Sequence, residues 1–139
     1  MKIKVVLDTN IYISAILFGG GPRMCLELAR KGKIDLYASK AIFLELARIL
    51  KTKFDWQENE IRAILQGISQ FSHIVTPKMK ISLIQENPPD NRILEAVKEA
   101  KADCIVSGDK KHILPLKKFR GSEILTSADF LKKVTSLPQ

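Results

Sequence analysis

The chain has 139 residues, 45% of them hydrophobic and 27% charged, with 7 Gly and 6 Pro. This composition excludes a disordered or fibrous protein and predicts one globular domain over residues 1–139. Charged residues interrupt the apolar runs well before the ~20 residues of a membrane span, so we expect no membrane helix, no signal peptide and a cytoplasmic location. The net charge of +8 is compatible with a nucleic-acid partner but does not require one.

The first half of the chain alternates between short apolar runs and helical patterns. The run from Ile3 to Leu7 is β-branched and nearly continuous, which predicts a strand buried on both faces and ending at Asp8. After a short apolar segment and a glycine-rich turn, a helix closes at Gly32. A strand at 34–38, Ser39 as a helix N-cap and helices at 40–51 and 57–71 follow.

The second half repeats this alternation. Short extended segments are predicted at 73–75 and 81–84, followed by a helix that Asp90 opens. The run 104–107 predicts a second buried strand, and a short basic helix from Lys110, a strand at 123–125 and a final helix begun by Thr126 or Ser127 complete the chain. Strands that alternate with helices predict a three-layer α/β/α sandwich with a mostly parallel central sheet, because parallel neighbours need helical crossovers.

Acidic residues follow the two strands that are predicted to be most buried. Asp8 ends the first strand, and Asp109 follows the run 104–107 after one glycine. If both strands are central and parallel, these carboxylates emerge at the same edge of the sheet, where α/β folds form their sites. Asp90 reaches that edge only if the preceding loop crosses it. Each acid alone also fits a helix cap or a turn, but a cluster of like charges is usually tolerated by binding a divalent cation.

Glu45 is ambiguous from composition alone. It lies at the edge of an apolar helix stripe beside Arg48, which is typical of a surface salt bridge. The two histidines offer no clear base, since His73 lies in a predicted strand and His112 in a basic turn. Cys25 and Cys104 lie far apart in apolar surroundings, which predicts buried free thiols in a reducing compartment.

Four short motifs together resemble those of the PIN-domain ribonucleases, and most closely the VapC-like toxins of prokaryotic toxin–antitoxin pairs. The motifs are, in chain order, Leu7-Asp8-Thr9-Asn10, Phe43-Leu44-Glu45-Leu46, Pro89-Asp90-Asn91 and Ser107-Gly108-Asp109-Lys110. Each motif is weak alone, but the four fall in register with the predicted strands and helices, and the resemblance covers nearly the whole chain.

The resemblance implies that Asp8, Glu45, Asp90 and Asp109 hold one or two Mg²⁺ or Mn²⁺ ions. It also implies supporting roles for small polar residues beside these acids, namely Thr9, Asn10, Asn91 and Ser107. The chain departs from the family pattern at Lys111, where many relatives have a further acid, and at 87–89, where an Asp-rich turn is common. Both departures remove negative charge near the site, so the binding of a second metal ion stays an open question.

Oxygen ligands favour hard divalent cations over zinc. Without a placed histidine, a metal must activate the attacking water, so the expected reaction is hydrolysis of an RNA phosphodiester that leaves a 5′-phosphate and a 3′-hydroxyl. Basic residues after the fourth acid are expected to bind the RNA backbone; they are Lys110, Lys111, Lys117, Lys118 and Arg120. Their other interpretation is a solvated helix face.

Two rival functions stay open at this stage. One is a non-catalytic PIN-like module that binds RNA or protein. The other is a haloacid-dehalogenase-type phosphatase, which is disfavoured because Asn10 stands where that family needs an Asp. The resemblance further implies a homodimer and a small antitoxin partner.

Overall fold

The structure is a computed structural model that describes residues 2–84, 90–109 and 113–136. Its strands are β1 (Lys4–Leu7), β2 (Asp35–Ser39), β3 (Ser72–Val75), β4 (Cys104–Val106), β5 (Lys118–Phe119) and β6 (Ser122–Leu125). Its helices are α1 (Thr9–Leu17), α2 (Gly20–Arg30), α3 (Lys40–Phe54), α4 (Glu58–Ser69), α5 (Asp90–Ala100) and α6 (Ser127–Thr135). No helix in these ranges is both long enough and apolar enough to cross a membrane.

The strands form one sheet in the order β3-β2-β1-β4-β6-β5. All neighbours pair in parallel except β5, which pairs antiparallel with β6. Helices flank the sheet: α5 packs on β1, β2 and β3, and α6 packs against β6 and α2. This confirms the predicted α/β sandwich with a mostly parallel sheet.

The strand order reverses beside β1. From β1 the chain builds outward to β2 and β3, and then returns to place β4 on the other side of β1. The carboxyl ends of β1 and β4 therefore border the crevice in which open α/β sheets bind their ligands. Both strands are continuous apolar runs because helices cover both faces of the sheet, and their interior residues are fully buried.

Helix α3 carries its apolar residues on one side, as the sequence predicts. The Ser39 hydroxyl accepts a hydrogen bond from the backbone N–H of Ile42 (3.3 Å) and so caps the helix start. Ile42, Leu46 and Leu50 are buried. The residues beside this stripe, among them Glu45 and Arg48, are thereby turned toward the rim of the sheet.

Two predicted elements differ from the structure. Residues 81–84 form no strand; hydrogen bonds from the backbone N–H groups of this segment to side chains of α5 replace sheet pairing. The short basic helix from Lys110 begins outside the described residues, and residues 114–119 form a 3₁₀ turn and strand β5 instead.

Strand β5 forms because of the turn that follows it. The two turn residues, Arg120 and Gly121, both have positive φ (50° and 85°). A two-residue turn of this handedness closes a tight β-hairpin, so β5 folds back along β6.

Candidate active site

Asp8 is fixed at the end of β1 by the sheet itself. Its backbone N–H donates to the Val106 carbonyl of β4 (2.9 Å), and its side chain is buried, with 3% of the residue exposed. Asp8 stands at the N-cap position of α1, but the main hydrogen bond of its carboxylate is not to that helix. The Ser107 hydroxyl donates to Asp8 Oδ2 instead (2.8 Å). The side chain is therefore held toward the β4 edge.

Ser107 connects Asp8 to Asp109. Its oxygen accepts the backbone N–H of Asp109 (2.9 Å), and its own N–H donates to the Leu125 carbonyl at the end of β6 (2.9 Å). Parallel pairing of β1, β4 and β6 thus brings the two acids to one edge of the sheet. One buried hydroxyl, fully enclosed by protein, bridges them.

Burial raises the pKa of the Asp8 carboxyl, since the charged form loses its hydration. The hydrogen bond from Ser107 opposes this shift, while the negative charge of Asp109 adds to it. A carboxylate whose pKa is raised by burial and by a neighbouring carboxylate lies in a site that a cation would stabilise.

A small polar pocket opens beside Asp8, with a volume of about 210 Å³. Its lining includes three of the four predicted acids, the two polar residues after Asp8 and two cations; the residues are Asp8, Thr9, Asn10, Glu45, Arg48, Ile49, Lys53 and Asp90. Helices α1, α3 and α5 contribute to this lining, so the pocket exists only in the folded chain. Asp109 is not part of the lining but is coupled to it through Ser107 and Asp8.

Glu45 lies in this pocket with its charge compensated by Arg48. Arg48 Nη2 donates to Glu45 Oε1 (2.8 Å) and Arg48 Nε to Glu45 Oε2 (3.1 Å), in a two-pronged arrangement one turn apart on α3. The salt bridge that composition suggests is therefore present. It forms inside the acidic pocket, which composition does not predict.

Asp90 reaches the pocket because α5 docks against the sheet. It is the first residue of α5 and only 9% exposed. The next residue, Asn91, is 2% exposed; its Oδ1 accepts the N–H of Ile84 (2.8 Å), and its Nδ2 donates to the Ile84 carbonyl (2.6 Å). Glu95 accepts the N–H of Ile81 (2.8 Å) in the same way. These bonds tie segment 81–84 to α5.

A protein-family model described as the PIN domain matches residues 4–111 of the chain. The chain belongs to the PIN domain family. PIN domains are typically nucleases and generally use divalent metals.

Two similar proteins illustrate this membership. An uncharacterised protein of Methanocaldococcus jannaschii is 36% identical over 115 residues, which are 79% of this chain and 73% of that protein. Among solved structures, the fold is similar to a chain in the crystal structure of VapBC2 from Rickettsia felis bound to a DNA fragment from their promoter, with a TM-score of 0.62 and 19% identity. That alignment covers 88% of this chain and 97% of the other.

The donor set of this PIN domain fits a hard divalent cation. The pocket offers only oxygen ligands, and the buried Asp8 carboxylate gains most from a nearby positive charge. Within residues 2–84, 90–109 and 113–136, however, no three Asp, Glu, His or Cys side chains converge closely enough to enclose a metal. Mg²⁺ usually takes one or two protein carboxylates and keeps several waters, so a site with two direct ligands agrees with both observations.

The predicted RNA-binding cations are not all on the same side of the PIN domain. Lys110 and Lys111 lie outside the described residues. Lys117 and Lys118 lie next to β6, at the edge of the sheet that β5 forms. Arg120 lies at the amino-terminal end of β6, beside a second cavity of about 440 Å³ that Lys98 and Lys101 also line. That end of the sheet is opposite to the one that carries Asp8.

Sequence reasoning missed Arg48 and Lys53 as pocket residues. Both lie on α3 on the same side as Glu45, at spacings of three and eight residues. The spacing of three residues from Glu45 is a signal that could have found Arg48, whereas Lys53, eight residues after Glu45, follows from no such pair spacing. His73 has no role at the pocket, since it stacks on Tyr37 in the sheet (4.8 Å between ring centroids) and lies 3.5 Å from Asp35. Cys25 and Cys104 are buried free thiols, as predicted.

We expect Ser107→Ala to destabilise the PIN domain by about 1–3 kcal/mol. The substitution leaves a buried Asp8 oxygen and the Asp109 N–H without the hydroxyl that joins them. Ser69→Ala is the control, because its hydroxyl bonds only the Gln66 carbonyl on α4. Urea unfolding of the two variants measures the difference. Equal stabilities would show that the Ser107 bridge does not hold the acids.

Proposed function

We propose that this PIN domain is a divalent-metal-dependent endoribonuclease that hydrolyses RNA phosphodiester bonds. The supporting observation is the pocket in which Asp8, Asp90 and Glu45 stand together, with Asp109 tied to Asp8 through Ser107. Three acids from separate parts of the chain line one small pocket at the switch point of a parallel sheet, and a bound cation would offset the repulsion between their charges.

The acids have different parts in this proposal. Asp8 and Asp90, both nearly buried, are the direct ligands of Mg²⁺ or Mn²⁺; Asp109 adds negative charge beside Asp8, and Glu45 completes the acidic wall. When bound, the ion lowers the pKa of water and offsets charge on the phosphate. Thr9 and Asn10 line the pocket floor, and Asn91 holds segment 81–84 against α5.

We further propose that the domain is the toxin of a toxin–antitoxin pair and acts in the cytoplasm as a homodimer, with a small antitoxin as its partner. The VapC-like motifs support the toxin role. The fold shared with a chain of the Rickettsia felis VapBC2 complex agrees with it. The two buried free thiols agree with a reducing compartment.

The test is cleavage of single-stranded and structured RNA with EDTA and after addition of Mg²⁺ or Mn²⁺. We expect EDTA to abolish cleavage, the metal to restore it, and the products to carry 5′-phosphates. Asp90→Asn should lower the rate by roughly 100-fold or more, because it removes a ligand whose contribution to the transition state is several kcal/mol. Asp129→Asn makes the same change in the first turn of α6, at a residue that does not line the pocket, and should leave the rate unchanged.

Two outcomes would contradict the proposal. Cleavage that persists in EDTA would exclude a metal-dependent reaction. Absence of cleavage with every metal and RNA would make this chain a non-catalytic PIN module, and RNA binding without cleavage would then identify it as a binding protein.

A further inference from the structure

The pocket beside Asp8 contains two cations that its acids alone do not explain. Arg48 and Lys53 line it together with Asp8, Glu45 and Asp90, so three carboxylates face two cations. With one divalent ion bound, the charges that line the pocket would sum to +1, and Asp109 beside Asp8 would bring the sum to zero. The ion and the two cations together can therefore attract a phosphate, whereas the acids by themselves would repel it.

Arg48 keeps hydrogen-bond donors available after pairing with Glu45. The guanidinium has five N–H groups, and the pair with Glu45 uses one on Nε and one on Nη2. The remaining donors lie on a side chain that is 55% exposed. Because Glu45 fixes the plane of the guanidinium, those donors are already oriented for the two-pronged contact that arginine makes with a phosphate.

Lys53 lies further along α3. It is five residues beyond Arg48, which corresponds to roughly 7.5 Å along a helix axis, and it lines the same pocket. Within the described residues it forms no salt bridge, whereas Lys51, two residues before it, pairs with Glu58 (3.2 Å). The position of Lys53 thus leaves its charge available to a ligand of the pocket.

We propose that Arg48 and Lys53 bind the sugar-phosphate backbone of the RNA substrate, with Arg48 at the acidic cluster and Lys53 further along the strand. Glu45 is then a positioning residue that orients Arg48. This assignment rests on the proposed ribonuclease function and names its substrate contacts. It differs from the basic residues after Asp109, of which Arg120 lies at the opposite end of the sheet.

The test measures binding of a single-stranded RNA oligonucleotide by fluorescence anisotropy with Ca²⁺, a hard divalent ion that takes oxygen ligands and so offsets the charge of the acids. Arg48→Gln should weaken binding about 10-fold, as expected for loss of a charged hydrogen-bonded contact. It should also reduce the dependence of log K on log salt by about 0.7, the value for one single-strand phosphate. Lys53→Gln should give a similar change in slope, and Arg48→Lys should restore the slope but not the full affinity, because the fork is lost.

The chain provides a matched control at Arg30. It also pairs with a glutamate three residues before it (Glu27, 2.6 Å), and its side chain is also 55% exposed. Arg30→Gln removes the same charge and the same kind of ion pair on α2, so it should leave affinity and salt slope near those of the wild type. Lys51→Gln serves the same purpose for Lys53.

Steady-state cleavage with metal gives an independent readout. Arg48→Gln should raise KM, since a backbone contact is already made in the ground state. Equal effects of Arg48→Gln and Arg30→Gln on binding would overturn the role of Arg48 and leave the ribonuclease function standing, provided that Asp90→Asn still abolishes cleavage. A wild-type protein that neither binds nor cleaves RNA would overturn both.

Discussion

Replacing Asp8 by Asn should reduce RNA cleavage by roughly 10³-fold and, in the same protein, raise its stability in EDTA by about 1 kcal/mol, or about 4 °C in Tm. The two effects have one cause. Asp8 is nearly buried, and its charge faces that of Asp109. An uncharged side chain of the same size removes the repulsion and the dehydration of a charge, but it also removes the strongest candidate metal ligand.

The pH dependence of stability provides a check on this interpretation. The pKa of Asp8 in the folded protein lies above its ordinary value of 3.8. The native state therefore holds its proton more tightly than the unfolded state, and stability falls as the pH rises from 3.8 through the folded-state pKa. In EDTA, the excess stability of Asp8→Asn should be largest at neutral pH and should shrink as the pH approaches 3.8.

Metal binding should distinguish the wild type from Asp8→Asn. Mg²⁺ or Mn²⁺ should raise the Tm of the wild type, because a ligand that binds only the folded state stabilises it, and it should have much less effect on Asp8→Asn. Asp129→Asn is again the control, with normal cleavage and a normal metal response. If Asp8→Asn is as active as the wild type, or less stable than it in EDTA, the charge of Asp8 does not serve to bind a cation.

The second large effect is expected at Asn91. Asn91→Ala should destabilise the domain by about 2–4 kcal/mol, because it leaves both the N–H and the carbonyl of the buried Ile84 without their partners and creates a small cavity. Loss of these bonds also frees the Ile84 end of segment 81–84 from α5, the helix that brings Asp90 into the pocket, while Glu95 still accepts the Ile81 N–H. Cleavage should therefore fall even at temperatures at which the variant stays folded.

Asn59 is a matched control for this prediction. Like Asn91, it is the second residue of a helix, but it is exposed on α4. Asn59→Ala should be neutral or slightly stabilising, since alanine has the higher helix propensity. Chemical denaturation and amide hydrogen exchange measure the two variants, and rapid exchange at Ile84 is expected only in Asn91→Ala. If both variants unfold at the same denaturant concentration, the Asn91 bonds contribute nothing to stability.

Much of the site's framework follows from local sequence patterns. The apolar runs that end at Asp8 and at Ser107 predict two buried parallel strands, and parallel strands deliver their carboxyl ends to one edge of a sheet. The proximity of Asp8 to the region of Asp109 therefore follows from the hydrophobic pattern of the strands and from their order along the chain. The N-cap at Ser39 and the apolar side of α3 follow in the same way, because each depends only on residues within one or two helical turns.

The sequence by itself determined the strands, the helices and the edge of the sheet at which two acids emerge; the tertiary structure decided which other side chains meet them. Asp90 reaches the pocket because α5 docks on β1 and β2, and Glu45 arrives there already paired with Arg48. Arg120 lies at the opposite edge, because the hairpin of β5 and β6 places it at the amino-terminal end of β6. Local patterns record periodicity and caps, whereas these placements depend on packing between residues far apart in sequence.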